Sequence, residues 1–105
     1  MNLFKKKINR NQLIFIFLTI VEEEIKKGNE LNLDLEKKVF EMIQKTNYKL
    51  NENQISDITS GVHVVCLDKS LQDKIRSLEG SDDEFINQTY LEIQECFLNH
   101  GIYFE

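Results

Sequence analysis

The side chains with the most reactive chemistry in this sequence form two pairs at helical spacing. The chain contains two cysteines and two histidines. His63 and Cys66 are three residues apart, and Cys96 and His100 are four apart, so each pair would share one helix face. A zinc site would need all four to converge tetrahedrally, and the spacing does not match the closely spaced cysteines of a zinc finger. We therefore expect core cysteines and surface histidines, with no metal or other cofactor.

Catalytic signatures are also missing from the sequence. Cys96 and His100 resemble a nucleophile and its base, but no neighbouring residues predict an oxyanion hole, and a cysteine on the apolar side of a helix is usually inert. The runs of acids at 22–24 and 82–84 diverge along a helix, which does not favour paired acid–base catalysis. The sequence contains no phosphate-binding loop, dinucleotide fingerprint, calcium loop or HExxH motif. We predict that the protein is not an enzyme.

The elements that must position these side chains are predicted to be helices. The chain has 105 residues, of which 41% are hydrophobic and 30% charged, an ordinary balance for one globular domain. It has no proline and only four glycines, whereas a β-sandwich needs many turns rich in these residues. We predict a single all-α domain over residues 1–105: a compact four- or five-helix bundle around a buried N-terminal helix.

The N-terminal helix is predicted from Arg10 or Asn11 to Lys27, with Gly28 ending it. Its middle, residues 13–21, is apolar on almost every side, which is typical of a helix covered by its neighbours. A buried strand over the same residues remains the alternative. The basic residues before the run superficially resemble a signal peptide. However, acids follow in place of a cleavage site, and the run falls far short of the ~20 residues that span a bilayer. We expect no membrane association.

Two further helices are predicted in the middle of the chain. The second spans Leu33–Asn47 and is capped by Asn32, while a third, short helix starts at Asn51 and is broken at Ser60-Gly61. The pattern Asn51-x-x-Gln54 is typical of a capping box.

A fourth and a fifth helix complete the predicted bundle. Over residues 62–67 the sequence is compatible with a strand, but apolar spacing favours one amphipathic helix over 62–79. Its apolar stripe comprises Val64, Leu67, Leu71, Ile75 and Leu78. The last helix is predicted to begin with a capping box over Ser81–Glu84 and to end near Asn99, before Gly101. Its buried stripe comprises Ile86, Tyr90, Ile93 and Phe97, and the apolar residues after it should pack back on the body.

The last helix carries the candidate binding surface. At 100° per residue, five polar side chains fall within about 80° of one another; they are Glu84, Gln88, Glu92, Glu95 and Asn99. Leu91 and Leu98 lie beside them, away from the predicted core face. Exposed leucines beside acids resemble a protein-binding surface. The full candidate set is Glu79, Asp82, Asp83, Glu84, Gln88, Leu91, Glu92, Glu95 and Leu98. The alternative is a solvated face whose leucines are covered by the tail or another helix.

Charge is distributed unevenly along the chain. The formal net charge is −5, yet residues 77–105 hold seven acids and no Lys or Arg. An acidic surface repels phosphate backbones and attracts basic partners. We therefore expect a basic protein partner and no nucleic acid. Lys5, Lys6, Lys7 and Arg10 could contact nucleic acid or acidic lipid, but the favoured interpretation is that they solubilise the start of an apolar helix.

In size, acidity and layout the chain resembles bacterial toxin-immunity proteins, including colicin-type and contact-dependent growth-inhibition immunity proteins. The resemblance is carried by a short helical scaffold and its acid-rich final third: Glu79, Asp82, Asp83, Glu84, Glu92 and Glu95. The Tyr-Tyr-Pro element of the DNase-colicin subgroup is absent, so the resemblance is to the wider group. It implies tight binding to a cognate toxin, often a basic nuclease, whose active site or substrate path is blocked.

The remaining expectations concern the setting in which the protein works. Two cysteines are too few for a disulfide scaffold, which favours the reducing cytoplasm. We expect a monomer when no partner is bound. The alternative function is a helical regulatory or adaptor protein that binds another protein.

Overall fold

The computed structural model describes residues 5–105. Within that range the chain forms, in order, β1 (Lys6–Lys7), α1 (Arg10–Lys26), α2 (Asp34–Gln44), β2 (Tyr48–Lys49), α3 (Glu52–Leu67), α4 (Lys69–Arg76) and α5 (Asp83–Asn99). The predicted all-α class and the five-helix bundle are confirmed. None of the described helices is both long enough and apolar enough to cross a membrane.

Helix α1 is the centre of the bundle, as predicted, and the alternative of a strand is wrong. A capping box between Asn9 and Gln12 satisfies backbone donors at its start, and Gly28 follows its last turn in a left-handed conformation. It packs against α2 and α4. Its Phe17 ring meets Phe97 of α5 edge-on, with ring centroids 5.7 Å apart. One side of α1 is not covered, because Phe15 is 65% exposed.

The largest correction concerns Gly61 and the helix boundary near it. Gly61 does not break a helix; it lies inside α3, and the break comes at Asp68. The backbone of Asp68 is extended, and its carboxylate accepts a hydrogen bond from the Leu71 N–H, which starts α4. The predicted continuous helix and apolar stripe over 62–79 are therefore wrong. Among the residues of that stripe, Leu67 at the end of α3 is the most exposed, at 83%. The strand alternative for 62–67 is also wrong.

Glycine is required at position 61 because aromatic rings approach the backbone there. A Cβ atom on this residue would lie 3.2 Å from Cζ of Phe17 and 3.2 Å from Cζ of Phe104. These two rings and Phe97 form a fully buried aromatic cluster. The residue that resembles a helix breaker in the sequence thus allows α3 to pack closely on the core.

Three other boundaries differ from the sequence prediction. Helix α2 begins at Asp34 and has Leu33 rather than Asn32 at its N-cap position, although the Asn32 side chain accepts a hydrogen bond from the Asp34 N–H at 2.9 Å. Helix α2 ends at Gln44 rather than Asn47, because Tyr48 and Lys49 leave the helix and pair in parallel with Lys6 and Lys7. The N-cap of α5 is Asp82 rather than Ser81: its carboxylate accepts from the Phe85 N–H at 2.8 Å.

The C-terminal residues pack back on the body, as predicted. Ile102 and Phe104 are buried, and the Asp57 carboxylate accepts hydrogen bonds from the Tyr103 and Phe104 N–H groups at 3.2 and 2.8 Å. The buried amide of Gln54 donates to the Ile8 carbonyl at 2.9 Å. The two ends of the described chain are thereby joined to the start of α3.

Candidate functional site

Helix α5 packs on the core through one side, and this packing determines which of its residues face solvent. Thr89, Ile93 and Phe97 are buried, whereas Ile86 and Tyr90 are only partly covered. The helix ends in a Schellman motif: the Ile102 N–H donates to the Phe97 carbonyl across Gly101, whose φ of +74° suits glycine.

The side opposite this buried line is exposed along the whole helix. We call it the outer face of α5 and define it by Glu84, Gln88, Leu91, Glu95 and Leu98. The structure therefore brings together five of the nine residues predicted to bind a partner. The alternative expected both leucines to be covered by the tail or by another helix. Leu91 is instead 65% exposed, whereas Leu98 is mostly covered and is 37% exposed.

The carboxylates of the outer face have no cation of their own. Among residues 5–105, neither Glu84 nor Glu95 has a basic group within 4 Å, and Asp83 at the start of the helix also has none. Their charge is directed into solvent, where it acts over a Debye length of about 8–10 Å in physiological salt. These are the acids that remain available to a cationic partner.

Three other predicted acids are engaged within the molecule. Glu79 forms an ion pair with Lys26 at 3.2 Å, and Glu92 forms one with Lys74 at 3.6 Å. Asp82 uses its carboxylate as the helix cap. The exposed ion pairs are worth little individually, but they reduce the charge that Glu79 and Glu92 contribute to the surface. Fewer acids are therefore available to a partner than the sequence predicts.

A groove between α4 and α5 borders the outer face. It encloses about 450 Å³, and Phe85, Gln88 and Glu92 line it on the α5 side. Lys74 of α4 and Ser77, which directly follows that helix, form part of its opposite wall. Phe85 is 45% exposed, and it is absent from the set predicted from the sequence because it lies outside the acidic stripe. The groove is a recess on the Gln88 flank of the outer face, on the side away from Leu91 and Leu98, that a partner side chain can enter.

One acid outside the candidate site is engaged inside the fold. Glu24, from the run of acids at 22–24, is buried at the end of α1. Its carboxylate binds Lys38 Nζ at 2.9 Å and Asn29 Nδ2 at 2.7 Å, and these hydrogen bonds hold the pKa of Glu24 below its ordinary value. This group links α1 to α2 and is structural.

The cysteine and histidine pairs do not form a metal centre. No group of three or more His, Cys, Asp or Glu side chains within 5–105 is arranged to hold a metal ion. His63 and His100 are exposed and line one shallow cavity, while Cys66 and Cys96 are partly buried free thiols. Burial raises the pKa of the Cys66 thiol, which lowers its thiolate fraction and its reactivity.

Comparisons of this chain with models of known protein families, with curated proteins and with solved structures found no match. The function is therefore argued from the chemistry of the outer face of α5.

Proposed function

We propose that this protein is an immunity protein that binds and neutralises a cationic bacterial toxin through the outer face of α5. The observation that carries the proposal is the position of two exposed leucines, Leu91 and Leu98, beside unpaired carboxylates at Glu84 and Glu95. Apolar side chains that give up water on binding supply affinity, and the flanking charges supply orientation and speed.

The proposed mechanism is competition for a basic surface. A nuclease binds the phosphates of its substrate with lysine and arginine side chains, and a row of carboxylates presents similar negative charges to them. Glu84 and Glu95 lie about three helical turns apart, so a rigid helix holds them at a fixed spacing. The inhibitor needs no catalytic group; it excludes substrate by occupying the path to the active site.

The proposal places this encounter in the cytoplasm, with the free protein as a monomer. Both cysteines are unpaired, as expected in a reducing compartment. The outer face contains exposed leucines separated by acids, and like charges on two such faces oppose their direct pairing.

The test starts from the gene beside the one that encodes this chain. The C-terminal domain of a secreted protein encoded there is expressed in a bacterial host, alone and together with this chain. We expect the domain to arrest growth and co-expression of this chain to restore it. Growth that stays arrested in the presence of the folded chain would refute the proposal for that toxin.

A pair of variants ties protection to the outer face. Leu91→Ala combined with Glu95→Gln should lose protection. Phe15→Ala combined with Glu41→Gln should retain it, since Phe15 has the same 65% exposure as Leu91 and Glu41 is another exposed acid. Equal protection by both double variants would place the contact elsewhere.

A further inference from the structure

The groove between α4 and α5 brings two carboxylates and an aromatic ring to one space of about 450 Å³. Phe85 and Glu92 line its α5 side, and Asp73 lines its α4 side. Phe85 is 45% exposed, and the side chains of Glu92 and Asp73 are 53% and 73% exposed. A side chain of a partner can therefore reach all three groups from solvent.

A lysine of the protein itself already places a cation in this groove. Lys74 lines it, and its Nζ lies 3.6 Å from Oε2 of Glu92. The second carboxylate, on Asp73, pairs at 3.2 Å with Arg76, which follows it by three residues on the exposed side of α4. Exposed ion pairs of this kind are worth little, because solvent screens them and two long side chains must be held in one geometry. Glu92 can therefore exchange Lys74 for a better donor at little cost.

Arginine is the side chain whose chemistry fits this lining best. Phe85 and Glu92 are separated by about 10 Å along the helix axis, so a long side chain can cover the ring with its apolar stem and reach the carboxylate with its charged end. A guanidinium is planar and forms two parallel hydrogen bonds to a carboxylate, whereas an ammonium is a strongly hydrated point charge. Its five donors also suit a wall of acceptors, which comprises the carboxylates of Asp73 and Glu92 and the amide oxygen of Gln88.

We propose that the groove between α4 and α5 is a socket for one arginine side chain of the cationic toxin. This inference deepens the proposed function and takes the identity of the partner from it. Glu84 and Glu95 of the outer face attract the basic surface, and the groove on the Gln88 flank then binds a single arginine. That arginine displaces Lys74 from Glu92, so a partner that offers only a lysine gains little over the pair already present.

The first experiment tests the groove without the toxin. Short capped peptides that carry a single arginine, lysine or citrulline between glycine and serine residues are titrated into the full chain, and backbone amide shifts are followed by NMR. We expect the arginine peptide to cause saturable shifts at Phe85, Gln88 and Glu92. The lysine peptide should bind about threefold more weakly or worse. Citrulline, which has the shape of arginine without its charge, should cause no saturable shift there.

Removing the internal lysine should increase binding, an effect that loss of a structural contact would not produce. Lys74→Gln frees Glu92 and should tighten binding of the arginine peptide by about two- to fivefold. The matched control is Lys26→Gln, which removes the same charge and breaks the exposed ion pair with Glu79. This control should leave the affinity nearly unchanged. Glu92→Gln should remove the preference for arginine over lysine.

Three results would overturn the socket. The first is that the arginine peptide binds the wild type no better than the lysine or citrulline peptide. The second is that its shifts fall outside the groove, and the third is that Lys74→Gln and Lys26→Gln tighten binding equally. The comparison of peptides on the wild type needs no variant, so it decides even if a variant fails to fold.

The growth assay separates this inference from the proposed function. Protection from the toxin without an arginine preference in the groove would refute the socket and leave the proposed function standing. Arginine-specific binding in the groove without protection would support the socket and refute the proposed function for that toxin.

Discussion

Replacing Gly61 with alanine has two opposite effects on the stability of the fold, one from helix propensity and one from packing of the core. The position lies inside α3, where alanine is favoured over glycine by about 1 kcal/mol. Against this gain, the new Cβ would lie 3.2 Å from the ring tips of both Phe17 and Phe104. Both rings are fully buried and in contact with each other and with Phe97, so neither can withdraw without moving the cluster.

The two effects have opposite signs, and we expect packing to dominate. Adding atoms to a filled core costs about 1–3 kcal/mol, so Gly61→Ala should be less stable than the wild type by about 1 kcal/mol. Gly61→Val adds two more carbon atoms and should cost about 3 kcal/mol or more. Phe104→Leu removes one of the two ring tips and should reduce the cost of Gly61→Ala when the two are combined.

The assay is urea unfolding followed by circular dichroism. Ser60, the exposed neighbour of Gly61, provides the control: Ser60→Gly and Ser60→Ala should differ by about 1 kcal/mol, which measures propensity without packing. If Gly61→Ala is more stable than the wild type by as much as Ser60→Ala is more stable than Ser60→Gly, the rings of Phe17 and Phe104 do not limit this position. That result would refute the packing explanation.

Three further predictions concern separate parts of the fold. Glu24→Gln should cost about 1–2 kcal/mol at pH 7. The pKa of Glu24 in the folded protein lies below its ordinary 4.5. The extra stability of the wild type over Glu24→Gln should therefore be complete above pH 4.5, and should shrink as the pH falls through the lowered pKa of the folded state. Urea titrations at pH 7 and about pH 3.5 check this, and a pH-independent difference would contradict it. Asp57→Ala should cost about 1–2 kcal/mol and accelerate amide hydrogen exchange at Phe104; unchanged exchange would mean that Asp57 does not hold the tail. Leu91→Ala should change the free energy of unfolding by less than about 0.5 kcal/mol, whereas Ile93→Ala should lower it by about 2–5 kcal/mol. Similar losses for the two variants would show that Leu91 is part of the core.

The helices that the sequence predicts best have strong local signals. The apolar run of α1, its Gly28 stop and the capping box at Asn51 act within a few residues, and each is observed. Gly61 misleads because a glycine that permits close packing has the same sequence signature as one that ends a helix. The Asp68 cap is also a local signal, but the apolar spacing across it favours a continuous helix.

Other features depend on contacts between residues distant in sequence. Strands β1 and β2 have two residues each, too few for alternation to predict them, and their pairing joins residues 42 apart. The Gln54 side chain bonds the Ile8 carbonyl, a contact fixed only when the bundle closes. In the candidate site, the helical wheel predicts the outer face of α5 correctly, yet it cannot predict that Lys26 and Lys74 engage Glu79 and Glu92.

The central claim is that the outer face of α5 recognises a cationic protein. Its most direct test is the rate of association with the cationic toxin domain that the proposal expects to be encoded beside this chain's gene, measured by stopped flow over a range of salt concentrations. Glu84→Gln with Glu95→Gln should slow association at low salt by about tenfold and flatten its salt dependence. Glu23→Gln with Glu41→Gln removes the same charge from exposed positions on α1 and α2. This control should leave the association rate and its salt dependence nearly unchanged. Equal effects in the two double variants, or none in either, would contradict the claim.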